Sequence, residues 1–118
     1  MRILWVENHP LFARYAGREF LRDHTVVVVA SLAAARAAVA VESFDVLLID
    51  YDLDDGKGDV LVREARQLQR RTAIVATSAH EAGNDALVGA GADAACGKLE
   101  FGRIGDVLKS LTTGASER

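Results

Sequence analysis

Four aspartates stand within six residues at Asp50, Asp52, Asp54 and Asp55, directly after the apolar run Val46-Leu47-Leu48-Ile49. Carboxylates this close repel one another, and burying one unpaired is costly. Either they are turn residues in water, or a positive charge belongs among them. Lys98 is a candidate for that charge, and Glu7, Asn8, Thr77 and Ser78 leave other apolar runs in the same way. Carboxylate oxygens suit a hard divalent cation, and a lysine offers a compact charge on a flexible stem. A hydroxyl can donate to anionic oxygens.

Those residues meet only if the chain folds so that its strand ends converge. The strand candidates are RILWV (2–6), TVVVVA (25–30), DVLLID (45–50), TAIVAT (72–77) and DAACG (93–97). The middle runs are continuously apolar and rich in Val and Ile, as in strands covered on both faces. Between them, Phe12, Ala16 and Phe20 share one helical face, and Leu61, Ala65 and Leu68 another. Phe101, Ile104, Leu108 and Leu111 make the clearest amphipathic helix, and Ala-rich 32–40 and 82–90 read as two more. The order predicts β-α repeated five times, an α/β fold with a parallel sheet wrapped by helices and right-handed crossovers. Ligands of such a sheet bind beyond the carboxyl ends of its strands. Glu7 and Asn8, Asp50 to Asp55, Thr77 and Ser78, and Lys98 therefore gather on one edge.

The composition fits this reading. The 118 residues suffice for one core, and the formal charge of -3 gives no reason to expect a nucleic-acid partner. Cys96 is the single cysteine, so no internal disulfide forms, which suits a reducing compartment. MRILWVENHP is too short an apolar run for a signal peptide, and VVVVASLAAA stops at Arg36, short of the roughly 18 residues of a spanning helix. A cytoplasmic protein without a membrane contact is expected. Residues 1–112 read as one domain and 113–118 as a polar, frayed tail; the chain could stand alone or belong to a longer protein.

Taken together, VENHP, LLIDYDLDDGKG, IVATSA and GADAACGK make the chain resemble a two-component response-regulator receiver domain, up to about Leu111. The resemblance implies a doubly wound, flavodoxin-like five-stranded sheet of order 2-1-3-4-5. It implies that Asp50 is the nucleophile that takes a phosphoryl group from a histidine kinase or phosphotransfer protein. Glu7 and Asn8 match the acidic pair that holds Mg²⁺ with Asp50, and the main-chain carbonyl of Asp52 matches a third protein ligand. Ser78 matches the switching hydroxyl, with Thr77 its alternative, and Lys98 matches the lysine that pairs with the acids and then the phosphoryl oxygens. Such a domain is not an enzyme beyond its own phosphorylation and dephosphorylation, whose lifetime His80 and Asp52 would tune. The downstream partner is unnamed, and a homodimer is left open. The helix at 100–111 with the strand at 93–97 is the expected partner surface.

Simpler readings stand beside these. Asp54 and Asp55 read as solvated turn residues before Gly56, and Asn8 as an N-cap ahead of Pro10. His9 and His80 lack further metal-ligand spacing and read as surface or outer residues. Lys98 could pair with Asp50 purely structurally. The chain also departs from the family pattern. Asn8 replaces a carboxylate, which predicts weaker Mg²⁺ binding; Ala95 stands at a switching aromatic, and Leu99 replaces a proline after Lys98. The stretch from Ser78 to Gly91 reads about two residues short. These departures feed an alternative, a pseudo-receiver that docks partners without useful phosphorylation. Asp50-Tyr51-Asp52 also resembles the DxD of haloacid-dehalogenase-type phosphatases, but such enzymes carry it near the N-terminus and need later acids. A flavin-binding fold would need a glycine-bearing loop where ENHPLF stands.

Overall fold

The computed structural model describes residues 1–68 and 71–116, the last four as backbone only. Its strands are β1 (Arg2–Val6), β2 (Thr25–Val29), β3 (Val46–Ile49), β4 (Asp52–Leu53), β5 (Gly56–Lys57), β6 (Ala73–Ala76) and β7 (Ala94–Ala95). Its helices are α1 (Pro10–Phe20), α2 (Leu32–Val41), α3 (Gly58–Leu68), α4 (Glu81–Ala90) and α5 (Ile104–Ser116), with a 3-10 turn at Lys98–Arg103. Five strands form one sheet in the order β2-β1-β3-β6-β7, every pair parallel. The small pair β4-β5 is an antiparallel hairpin beyond the end of β3. The expected flavodoxin-like sheet is therefore present, with β6 and β7 as its fourth and fifth strands.

The alternation of side chains along each strand divides the core into two layers. Leu4, Val6, Leu47, Ile49, Ile74 and Ala76 pack under α2, α3 and α4 through Ala35, Leu61, Val62 and Leu87. Ile3, Trp5, Leu48 and Val75 pack under α1 and α5 through Ala13, Ala16, Ile104 and Leu108. Trp5 stacks on Phe101 with ring centroids 4.9 Å apart. Two expected helical stripes run past the sheet: Phe20 is exposed, and Leu68 is 76% exposed. Both end their helices, and the buried places are taken by Ala13 and Ala16 on α1 and by Leu61 and Val62 on α3. The edge strand β2 is only half covered, with Val28 exposed. Phe101, Ile104 and Leu108 are core residues, so that stripe is not free for a partner, whereas Ala95 and Leu99 lie on the surface. Helix α5 runs to Ser116, across the boundary expected at 112; residues 117–118 lie outside the described part.

Polar side chains tie the layers together. Arg66 of α3 donates to the carbonyls of Gly91 (2.8 Å) and Thr72 (2.7 Å) and to Asp93 (2.6 Å), which fixes the approaches to β6 and β7. Asp55 caps α2: its carboxylate accepts from the main-chain N–H of Leu32 (2.6 Å) and Ala33 (3.0 Å), beside the N-cap Ser31. Helix N-termini leave such donors unpaired and favour negative charge. These bonds from Leu32 and Ala33 hold the Asp55 carboxyl below its usual range. Asp55 thus stabilises the fold above the ordinary aspartate pKa, and that contribution is lost as pH falls through its depressed one. Asp55→Ala is expected to speed amide exchange at Leu32 and Ala33 and lower the melting temperature; unchanged exchange would contradict the cap.

Candidate functional site

The backbone ladder of the sheet continues one residue past each strand end and fixes where the site residues start. Glu7 N–H donates to Val29 O (2.8 Å), Asp50 N–H to Val6 O (2.9 Å) and Thr77 N–H to Ile49 O (3.0 Å). Glu7 and Asp50 continue the alternation of Trp5 and Leu48, so both lie on the α1/α5 side. Lys98 arrives there from the exit of β7. Its ammonium donates to Glu7 Oε2 (2.8 Å) and Asp50 Oδ2 (3.0 Å). The side chains are 0%, 4% and 11% exposed for Glu7, Asp50 and Lys98, so water screens this network little. Asp50 Oδ1 accepts the N–H of Tyr51 (2.8 Å).

His9, expected at the surface or just around the site, touches the cluster directly. Its N–H donates to Glu7 Oε2 (3.0 Å), and its Nδ1 lies 2.9 Å from both Glu7 Oε2 and Lys98 Nζ. Nδ1 is an acceptor toward the ammonium in one tautomer and a donor to the carboxylate in the other. The N-cap of α1 is His9 itself, not Asn8. Asn8 Oδ1 is buried without a hydrogen-bond donor, and so is Glu7 Oε1. Asn8 is therefore not explained as a cap, and two acceptors beside the cluster face no donor. The local signal that could have placed His9 is Pro10, which starts α1 at once and leaves His9 within reach of Glu7.

The four aspartates separate into different roles. Only Asp50 is buried. The Asp52 side chain forms an exposed ion pair with Lys57 across the β4-β5 hairpin, which lowers its pKa. Asp54 is exposed, as a turn residue should be, while Asp55 serves as a distant helix cap rather than a solvated turn. Gly58 closes the loop: its N–H donates to Tyr51 O (2.7 Å), and a Cβ there would fall 2.0 Å from the carbonyl oxygen of Asp50.

Thr77 and Ser78 are both buried at the exit of β6. Thr77 Oγ1 has no hydrogen-bond partner. Ser78 Oγ accepts the N–H of His80 (3.2 Å). Asn84, a residue the sequence reading passed over, clamps the Ser78 backbone: it accepts from Ser78 N–H (2.8 Å) and donates to Ser78 O (3.2 Å). Helix α4 comes so near that a Cβ on Gly83 would lie 2.6 Å from Ser78 Oγ. Neighbouring Cys96 is buried, and burial, followed by the charge of Glu100, pushes its thiol up to about 11.

Burial raises the pKa of Glu7 despite the hydrogen bond from Lys98, and Asp50 beside it pushes the same way. A folded-state pKa above the ordinary 4.5 means that ionised Glu7 costs stability, a cost that grows as pH rises from 4.5 through the raised value. Glu7→Gln is expected to stabilise the metal-free protein at neutral pH and to change it little near pH 4.5. Urea denaturation at the two pH values checks this; equal effects at both would contradict it.

Fold and site together define a flavodoxin-like domain with an acid-lysine cluster at the carboxyl edge of its sheet. The profile of the response regulator receiver domain matches residues 3–97, and the chain belongs to that family. It is a receiver module of two-component signalling. No curated protein matches the chain. Among solved structures it is similar to a CheY-like receiver domain protein of Methanospirillum hungatei, at 23% identity and TM-score 0.81, covering 98% of this chain and 94% of that one. A response regulator of Burkholderia pseudomallei, solved with a phosphorylated aspartic acid, calcium and citrate, is 24% identical, with TM-score 0.80 and coverage of 98% and 69%. The response regulator TrrA of Thermotoga maritima, solved with Mg²⁺-BeF, is 19% identical, with TM-score 0.83 and coverage of 93% and 97%. Among the described residues no helix is long and apolar enough to cross a membrane.

Proposed function

We propose that this receiver takes a phosphoryl group on Asp50 from a histidine kinase or phosphotransfer protein, with Mg²⁺ as cofactor, and passes the change to a partner as a conformational shift. One observation carries the reading: Asp50 leaves the central strand buried, with Oδ2 on Lys98 and with Glu7 at its side. The donor set fits a hard cation, because Glu7 Oε1 and Asn8 Oδ1 are buried acceptors without donors. Glu7, Asn8, Asp50 and the main-chain carbonyl of Asp52 would hold it. Bound Mg²⁺ supplies the positive charge that lets an anionic carboxylate meet an anionic phosphoryl group.

The chain's own residues do the rest. Tyr51 N–H orients the Asp50 carboxylate by Oδ1. Lys98, already on Oδ2, is placed to follow the charge onto phosphoryl oxygens and would release Glu7 in doing so. Thr77 offers a buried hydroxyl with no partner, whereas Ser78 must give up its bond from His80 to move. A hydroxyl drawn toward a new anionic group biases the loop that carries it. The chain's own chemistry is confined to gaining and losing this one group. Asn8 favours a second reading, a docking module without useful phosphorylation, since it supplies no charge where a carboxylate would. Phosphoryl uptake from acetyl phosphate by three variants separates the two: Asp50→Asn is expected to abolish it, while Asp52→Asn and Asp54→Asn keep it. Uptake that survives Asp50→Asn would overturn the assignment.

A further inference from the structure

Lys98 Nζ sits among three potential metal ligands: Glu7 Oε2 at 2.8 Å, His9 Nδ1 at 2.9 Å and Asp50 Oδ2 at 3.0 Å. One ligand atom from each of Glu7, His9 and Asp50 lies within 4.8 Å of the other two. One is an imidazole nitrogen, which a hard cation has little use for and a borderline transition ion prefers. Three protein ligands with an open position are also the usual arrangement of a reactive zinc site. Glu7 Oε1, the other oxygen of that carboxylate, is buried and has no hydrogen-bond donor.

We propose that Glu7, His9 and Asp50 form a mixed carboxylate-imidazole site for a divalent transition ion such as Zn²⁺ or Co²⁺, which Lys98 occupies with its ammonium when no ion is present. The proposal shares Glu7 and Asp50 with the phosphoryl-acceptor reading but depends on His9, which that reading does not use. Asn8 acts in the same direction. An amide in place of a carboxylate lowers the charge offered to Mg²⁺, while the imidazole supplies a ligand suited to a softer ion. Transition-ion binding has to expel the lysine from the cage, so the protein holds its own competitor.

Co²⁺, Zn²⁺ and Mg²⁺ are titrated separately into the full chain by calorimetry, with the visible absorption of Co²⁺ as a second readout. Co²⁺ and Zn²⁺ are expected to bind at least about 10-fold more tightly than Mg²⁺. His9→Gln should weaken them by about 10-fold or more and leave Mg²⁺ nearly unchanged. Lys98→Met should tighten them. The N-terminal amine lies 3.3 Å from His24 Nδ1 and is a rival transition-ion site, so His24→Gln is run alongside. Binding lost in His24→Gln, or indifferent to His9→Gln, overturns the proposal. Mg²⁺ binding without Co²⁺ or Zn²⁺ binding overturns it and leaves the phosphoryl-acceptor reading standing. Failure of all three ions overturns it and counts against the Mg²⁺-dependent reading as well.

Discussion

Lys98→Ala is expected to destabilise the protein by about 3 kcal/mol at neutral pH, because it leaves two adjacent buried carboxylates without a cation. For a chain of this size that is a fall in melting temperature of roughly 10 °C. The loss should shrink on acidification. Glu7 already has a raised pKa, from burial first and from Asp50 as well, and without Lys98 it takes up a proton more readily still. Below its ordinary value of 4.5 the folded protein then carries no unpaired charge at Glu7, so the mutational cost is smallest there. Adding Glu7→Gln to Lys98→Ala should recover part of the stability at neutral pH. Guanidinium denaturation of both variants near pH 4.5 and pH 7 measures this. A loss independent of pH would mean that Lys98 acts through its pair with Asp50 and its place over the Phe12 ring, whose centroid is 5.4 Å from Nζ, and not through Glu7.

Gly58→Ala is expected to be as damaging, for a steric reason. The added methyl would sit 2.0 Å from Asp50 O and 2.9 Å from Ile49 Cγ2. The first of these is backbone, so the start of α3 or the exit of β3 must move. Forced overpacking of this kind costs about 3 kcal/mol at its upper range. The same movement displaces the Asp50 carboxylate. A misplacement on the order of 1 Å can slow a positioned reaction roughly 100-fold. Denaturation curves and initial rates of phosphoryl uptake, taken at a temperature where the variant remains folded, separate the two effects. A variant with normal stability and normal uptake would show that the Asp50 loop is not held by this contact.

The sheet and the convergence of its strand ends were legible because the pattern is local. Continuous runs such as VLLI and AIVA, short and rich in Val and Ile, read as strands covered on both faces, and the exit residues follow from topology. Glu7, Asp50 and Lys98 could be brought together on that basis. What the sequence withheld depends on side-chain contacts that its apolar pattern does not signal, some of them between distant segments. Asp55 looks like a turn aspartate, and its bonds to Leu32 and Ala33 span more than twenty residues. Asn84 lies near the start of α4, six residues from Ser78, and no pattern in the sequence marks it as a clamp. His9 reads as a surface residue until the path of α1 turns its ring toward Glu7. The Phe101, Ile104 and Leu108 stripe marks burial correctly, yet periodicity alone cannot tell a core face from a docking face.

Asp50 is the proposed metal-assisted phosphoryl acceptor. The most direct test of that role is the intact mass of the full chain after incubation with acetyl phosphate, with Mg²⁺ and with chelator. The predicted result is the mass gain of one phosphoryl group that requires Mg²⁺, is lost on treatment with hydroxylamine as an acyl phosphate should be, and is absent in Asp50→Asn. An unchanged mass under all conditions, with Trp5 fluorescence showing no response to Mg²⁺, would contradict it.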